Sequence, residues 1–249
     1  MRLRRNRAIC CTLSATRQFR YIGSTCEGVH VVEQGVEQSP TVIVIDDDED
    51  IRESLGSLLR SMGFRVNVCG FVDEFMDAGI PDGPTCLVLD VRLPGQSGLE
   101  LQRELANARR PLPIIFMTAH GDIPMSVQAM KRGAIEFLTK PFREQDLLEA
   151  IHVGHARDRA WLEHDSSMAD LKARFETLTP REREIMAFVV SGRLNKQTAG
   201  QLGLSEITVK IYRGQVMRKM KASSLPDLAR MADLLQLRPI EPKPPGRVA

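Results

Sequence analysis

Residues 42–51, VIVIDDDEDI, pass in one step from four aliphatic side chains to five acids. Val42 to Ile45 are all β-branched, the composition of a strand that fits a buried pleated surface. Asp46, Asp47, Asp48, Glu49 and Asp50 follow without a break. Like charges at that spacing repel, so the end of this strand must meet solvent or a counterion.

Outward from that strand, the chain alternates between short apolar runs and helix-period segments as far as Arg143. EDIRESLGSLLRSMG reads as a helix with Ile51, Leu55, Leu58, Leu59 and Met62 on one face, stopped by Gly63. FRVNVCG is a second strand and FVDEFMDAG a short helix. TCLVLDV, almost wholly apolar, reads as a third strand buried on both faces. SGLELQRELANAR (helix), PIIFMTAH (strand), PMSVQAMKRGA (helix) and EFLTKP (strand) follow, and a last helix begins near Arg143 and runs past Ile151. Five strands alternating with five helices predict an α/β fold, a doubly wound parallel sheet covered on both faces. Such sheets bind ligands at the carboxyl ends of their strands. The acidic cluster lies at one of those ends.

RDRAWLEHDSSMADLKARFETLTP is polar and helix-compatible, and reads as a linker that can continue the fifth helix. Beyond it the pattern is all helical. Pro180 opens and Gly192 closes one helix, NKQTAGQLG is a short helix closed by Gly203, Ser205 caps SEITVKIYRGQVMRKMKA, and SLPDLARMADLLQL is a fourth. The expected organisation is an extension over 1–40, an α/β domain over 41–155, a linker over 156–176, an all-α domain over 177–237 and a Pro-rich tail over 238–249.

Charge divides along the same line. The net charge is only +2, but residues 41–145 carry 11 basic and 16 acidic side chains, net −5, and residues 177–249 carry 13 basic and 6 acidic, net +7. A basic module on an acidic body points to a polyanionic partner. The five cysteines (Cys10, Cys11, Cys26, Cys69 and Cys86) have neither zinc-site spacing nor a disulfide pattern, which suits free thiols in a reducing cytoplasm. No stretch is long and apolar enough to span a membrane. In the first forty residues Arg2, Arg4, Arg5, Arg7, Arg17 and Arg20 precede the first acid, Glu27, and AICCTLSA is too short and too hydroxylated for a secretory h-region. A disordered basic extension, or one created by a start assigned too far upstream, is expected there. An organellar leader stays open on composition.

Asp46 and Asp47 after the first strand, Asp90 after the third, Thr118 after the fourth and Lys140 after the fifth all fall on one edge of the predicted sheet. Carboxylates with a lysine and a hydroxyl, and no Cys/His set, suit a hard cation such as Mg2+. Any one of these residues alone has an ordinary structural role, as a cap, a turn former or a solvated charge. Their joint placement is what indicates a site.

VIVIDDDEDIRESL, LVLDVRLPGQSGLEL, PIIFMTAHGD and GAIEFLTKPF resemble the receiver domain of two-component response regulators over 41–150. The separations agree: 43 residues from Asp47 to Asp90, 28 from Asp90 to Thr118 and 50 from Asp90 to Lys140. The resemblance implies a flavodoxin-like sheet of order 2-1-3-4-5 and a phosphoryl switch rather than an enzyme. It implies that Asp90 takes phosphate from a cognate histidine kinase, and that Asp46, Asp47, Asp90 and the carbonyl of Arg92 hold Mg2+. It further implies that Lys140 pairs with the phosphoryl oxygens, that Thr118 moves to bond them, and that Phe137 is the switch aromatic, here without a hydroxyl. The resemblance also implies that the bond from Lys140 to Pro141 is cis. Asp48 and Glu49 are read as solvated first-turn residues of the next helix.

LTPREREIMAFVVSGRLNKQTAGQLGLSEITVKIYRGQVMRKMKA resembles the LuxR-type helix-turn-helix, and its pairing with the receiver resembles the FixJ branch of the NarL/FixJ class. That resemblance implies a recognition helix from Ser205 to about Met220 in the major groove of promoter DNA. Lys210, Arg213, Arg218 and Lys219 would supply its contacts and Lys196 a backbone contact from the supporting helix, while Val209 and Val216 are expected in the core. Gln197 and Thr198 depart from the common Glu and Ile, Tyr212 from a frequent His, and Gly214 interrupts the recognition helix. The implied function is transcription control by a cytoplasmic protein that dimerises when phosphorylated, with RNA polymerase as a further candidate partner. Two alternatives remain. A Mg2+-dependent aspartyl-phosphate hydrolase would need an acid two residues after Asp90, where Arg92 stands. A relay that does not bind DNA would not explain the basic tail module.

Overall fold

The computed structural model describes residues 39–237 apart from 109, 120 and 122. The expected extension up to residue 38 and the expected tail from residue 238 lie outside the described residues.

The chain runs β1 (Thr41–Ile45), α1 (Glu49–Ser61), β2 (Arg65–Cys69), α2 (Val72–Ala78), β3 (Thr85–Asp90), α3 (Gly98–Ala106), β4 (Ile114–Thr118), α4 (Ile123–Lys131), β5 (Glu136–Thr139) and α5 (Glu144–Glu176). Then come α6 (Pro180–Val190), α7 (Asn195–Leu202), α8 (Glu206–Met220) and α9 (Leu225–Leu234). The five strands form one sheet in the order β2-β1-β3-β4-β5, every pair parallel.

Alternation within the strands assigns the two faces. Ile43, Ile45, Leu87, Leu89 and Phe116 point to one layer and pack with Val72, Phe75, Leu101 and Leu105 from α2 and α3. Val42, Val44, Val88, Ile115 and Met117 point to the other and pack with Leu55, Leu59, Leu147 and Ile151 from α1 and α5. Strands coated on both sides must be apolar throughout, so β1, β3 and β4 show no polar alternation. Each large side chain buried in this way contributes about 1.5–3 kcal/mol. The edge strand β2 is mostly exposed.

Helix ends follow local chemistry. Ser97 and Glu100 form a capping box on α3, as do Thr179 and Glu182 on α6, where Pro180 takes the first turn. Met62, expected on the apolar face of α1, is instead the C-cap residue and is exposed, because the helix stops at Ser61. Most of the stretch read as a linker continues the fifth helix: α5 runs 33 residues without a break to Glu176, and residues 177–179 form the turn before α6. The last turns of α5 change neighbours. Met168, Leu171 and Phe175 join a separate core with Ile185, Met186, Val209, Val216, Met220 and Leu228.

Candidate functional site

The sheet brings the strand-end residues together. Asp46, one residue past β1, and Asp90, the last residue of β3, are both buried, and Asp47 is exposed. One carboxylate oxygen from each of the three lies within 4.8 Å of the others. Lys140, one residue past β5, places Nζ 2.6 Å from Asp46 Oδ2 and 3.0 Å from Asp90 Oδ2. Four residues separated by up to 94 positions therefore share one pocket. The Lys140–Pro141 bond is cis, as the resemblance implied.

Backbone donors complete the pocket. Asp46 Oδ1 accepts from Asp48 N (3.1 Å), and Asp90 Oδ1 accepts from Arg92 N (3.1 Å). Arg52 Nη1 donates to the carbonyl of Asp46 (2.8 Å). Three carboxylates against the Lys140 ammonium and the Arg52 guanidinium still leave negative charge in excess. Burial pushes the Asp46 carboxyl above its ordinary pKa, and the bond from Lys140 only partly offsets that. Burial alone would lower Lys140, but its bonds to Asp46 and Asp90 outweigh burial and hold the ammonium above its ordinary value. An all-oxygen donor set with surplus negative charge, one edge of it open to solvent, fits a hard divalent cation.

Thr118 ends β4 and is buried, and its carbonyl accepts from Lys140 N (2.7 Å). Phe137, on β5, is half-buried against Phe116 with ring centroids 6.2 Å apart. Two glycines that the sequence reading did not single out shape this edge. A Cβ at Gly98 would meet the carbonyl oxygen of Asp90 at 2.4 Å, so only glycine lets α3 start against that strand end. A Cβ at Gly121 would meet Phe137 at 2.9 Å and the Thr118 methyl at 3.2 Å, so the two expected switch residues close around one missing side chain. Asp48 also differs from expectation. It is the N-cap of α1, accepting from Asp50 N and Ile51 N, rather than a first-turn residue.

In the helical region α7 and α8 meet at Gly203, whose φ of 63° is the left-handed turn that glycine accommodates. Ser205 caps α8 by accepting from Thr208 N (3.1 Å). Val209 and Val216 are in the core, as expected. Lys196, Lys210 and Arg218 are exposed. Arg213 is half-buried and donates to Asn195 Oδ1 (3.1 Å), tying α8 to α7. Lys219, expected among the DNA contacts, faces inward. Its Nζ lies 2.6 Å from Glu182 Oε2 and donates to Thr177 O at 3.2 Å. The cause is the buried Glu182. Burial would raise its pKa, but Lys219 and the Thr179 donors outweigh that and keep it ionised. Of the two departures in α7, Gln197 accepts from Leu194 N (3.0 Å), while Thr198 is buried with a hydroxyl that has no partner among the described residues. Gly214 sits exposed inside an unbroken α8.

Residues 42–152 match the model of the response regulator receiver domain, and residues 176–232 that of the bacterial regulatory proteins of the luxR family. The chain is similar to nodulation protein W of Bradyrhizobium diazoefficiens, 54% identical over 194 residues, 78% of this chain and 86% of that one. It is also similar to the transcriptional regulatory protein FixJ of Azorhizobium caulinodans, 42% identical over 208 residues, 84% and 99% of the two chains. Among solved structures, the response regulator StyR superposes with a TM-score of 0.71 at 45% identity, covering 78% of this chain and 98% of that one.

Proposed function

Because this chain belongs to the response regulators that join a receiver domain to a LuxR-type DNA-binding domain, we propose that Asp90 is its phosphoacceptor and that the Asp46–Asp47–Asp90 cluster holds Mg2+ with the Arg92 carbonyl. The protein is a phosphorylated transcriptional regulator. One observation carries the site assignment: three carboxylates and one ammonium, distant in sequence, meet with too little positive charge to balance them.

Asp90 attacks the phosphoryl group on a kinase histidine. The new O–P bond replaces the P–N bond, and the imidazole leaves and takes up a proton. Bound Mg2+ supplies charge neutralisation for the transferring oxygens. Lys140 already touches Asp90 and needs only to shift its ammonium from carboxylate to phosphoryl oxygen. Thr118 supplies a hydroxyl from the adjoining strand end. Its movement makes room beside Gly121 for Phe137, which carries the change to the α4–β5 face. Receivers then pair through that face, and two α8 helices reach adjacent half-sites in promoter DNA. Lys196, Lys210 and Arg218 make the charged contacts, while Lys219 belongs to the domain's own Glu182 pair.

The domain limits proposed are a receiver over 41–155, a connecting helical segment over 156–176 and a DNA-binding domain over 177–237. The partners are a histidine kinase, promoter DNA, a second copy and RNA polymerase, in the cytoplasm. No helix among the described residues is long and apolar enough to cross a membrane. The chain is read as a switch and not an enzyme. A hydrolase that needs an acid at position 92 is disfavoured, since Arg92 stands there with its amide donating to Asp90.

Incubation of the wild type and Asp90→Asn with acetyl phosphate and Mg2+ tests the assignment. Phosphate uptake, dimer formation by gel filtration and tighter duplex binding are expected in the wild type only. Equal uptake by both proteins places the acceptor elsewhere.

A further inference from the structure

Helix α8 turns its apolar core residues Val209, Val216 and Met220 inward. At about 100° per residue, the opposite side carries Ile207, Lys210, Ile211, Gly214 and Arg218 within an arc of about 100°. On that side the two isoleucines are the most unusual groups. Ile207 is 73% exposed and Ile211 57%. Exposed β-branched aliphatics give a helix neither good propensity nor burial. They lie one turn apart, about 6 Å along the axis.

Their surroundings define what they fit. Lys210 and Arg218 flank them, and Lys196 is exposed on the preceding helix. The module around them carries the chain's excess of positive charge, net +7 over residues 177–249, from 13 basic and 6 acidic side chains. Glu206 borders the arc on one side, and the half-buried Gln215 lies off it on the other. The arc is thus apolar in its first two turns and basic at its far end. Gly214 separates the two parts. Beyond the helix's own neighbouring backbone, no atom among the described residues lies within 4 Å of where its Cβ would be, so packing against them does not require glycine there. A missing side chain in mid-arc lets a groove wall approach the helix.

We infer that Ile207 and Ile211 read thymine 5-methyl groups in the major groove, so that the sequence preference of this protein is set in large part by apolar contact. The inference rests on α8 being the recognition helix. In the major groove the thymine methyl is the one apolar feature that a standard base edge presents. Lys210 is left as the hydrogen-bonding reader of this arc, and Arg218 as a phosphate contact.

The test uses the full chain, treated with acetyl phosphate and Mg2+. A preferred site is selected from random duplexes, and each thymine is then replaced by deoxyuridine, which keeps every hydrogen bond and removes only the methyl. Burial of one methyl corresponds to about a fourfold change in affinity. A loss of that size is expected at one or more thymines. It is expected to vanish for the matching position in Ile207→Ala or Ile211→Ala, both of which alter only exposed groups. A selected site whose thymines are all indifferent to uracil overturns the inference with wild-type protein alone. So does a uracil effect that persists in both variants, or an equal loss on thymine and uracil duplexes with altered dimerisation, which marks a protein contact. Failure of the underlying reading looks different. If the full chain selects no preferred sequence, or if Lys210→Ala with Arg218→Ala leaves affinity unchanged, α8 is not in the groove, and the inference falls with that reading.

Discussion

Both ends of the receiver sheet bury a carboxylate against a cation, but only one end leaves charge unbalanced. At the amino end, Asp158 of α5 is buried and accepts from Thr85 N at 2.7 Å and from Arg110 Nη2 at 2.5 Å. Arg110 also donates to the carbonyls of Pro81 (3.1 Å) and Gly83 (2.7 Å). One acid faces one guanidinium, and their remaining polar atoms go to backbone. At the carboxyl end, three acids cluster, and Lys140 pairs with only two of them, Asp46 and Asp90. The first arrangement is complete and holds α5 to β3. The second is completed only by something from outside. Burial by itself does not mark a functional site; burial with an incomplete set of partners does.

The largest test of this contrast is stability. Asp158→Ala removes the buried carboxylate and leaves the partly buried Arg110 guanidinium with only the Pro81 and Gly83 carbonyls, and is expected to cost about 3 kcal/mol in urea denaturation. Asp90→Asn, which relieves repulsion among like charges, is expected to leave stability unchanged or raise it. Similar losses in the two variants would erase the distinction between a structural end and a chemical one.

Added cation should act on one end alone. At Mg2+ concentrations near 100 times its dissociation constant, the unfolding free energy is expected to rise by about 2.7 kcal/mol. Asp47→Asn should lose most of that gain, because Asp47 is the exposed one of the three proposed ligands and has no bond to Lys140 to replace. Arg110→Lys, altered at the other end, should keep the gain even if its baseline stability drops. Denaturation with and without Mg2+ measures all three.

The two ends were not equally legible in the sequence. The chemical end was readable because Asp46, Asp47 and Asp90 follow strongly apolar runs, Lys140 follows the short strand EFLT, and parallel topology stacks strand ends on one edge. Asp46, Asp47, Asp90 and Lys140 therefore converged from pattern alone. The amino end gave a fainter signal. Asp158 lies in phase with Leu147, Ile151 and Gly154 on α5, so an acid on the buried phase of that helix was there to see, but its partner Arg110 sits in a loop with no period to place it. Lys219 failed for a related reason. A lysine on a basic helix reads as solvated, and nothing local announces that Glu182, 37 positions away, faces it at 2.6 Å. The continuous α5 was legible only as helix compatibility, since its second half has weak amphipathicity until Met168 and Leu171 meet the second core.

Titration sharpens the contrast, because the two ends respond to pH with opposite sign. His155 sits beside Asp158 on α5, with Nε2 2.8 Å from the carbonyl of Thr41 and no partner for Nδ1 among the described residues. Burial lowers its pKa below the ordinary value, against the opposing effects of the Thr41 bond and Asp158. The unfolded chain therefore binds that proton more readily, and stability is lost as pH falls below about 6.5 toward the folded value. Asp46 has its pKa raised by burial, so the folded chain binds the proton more readily. Its contribution is present at low pH and is lost as pH rises from about 3.9 through the folded value. His155→Gln should flatten the acid limb of the stability profile, and Asp46→Asn should remove the opposing slope. A profile unchanged by both substitutions would show that neither group differs between folded and unfolded states.

The smallest expected effect separates residues inside the five-acid run itself. Asp48 is adjacent to Asp47 in sequence, but its carboxylate turns to the first amides of α1. Asp48→Ala should cost about 1 kcal/mol as a lost helix cap. It should leave phosphate uptake and the Mg2+ response intact, because the bond Asp48 makes to the site comes from its backbone amide, which alanine retains. Asp47→Asn should do the reverse, sparing α1 and removing most of the Mg2+ response. If Asp48→Ala lowers phosphate uptake as much as Asp47→Asn does, the acids act as one diffuse cluster and not as a ligand beside a cap. Opposite results place the boundary between chemistry and helix initiation at a single peptide bond.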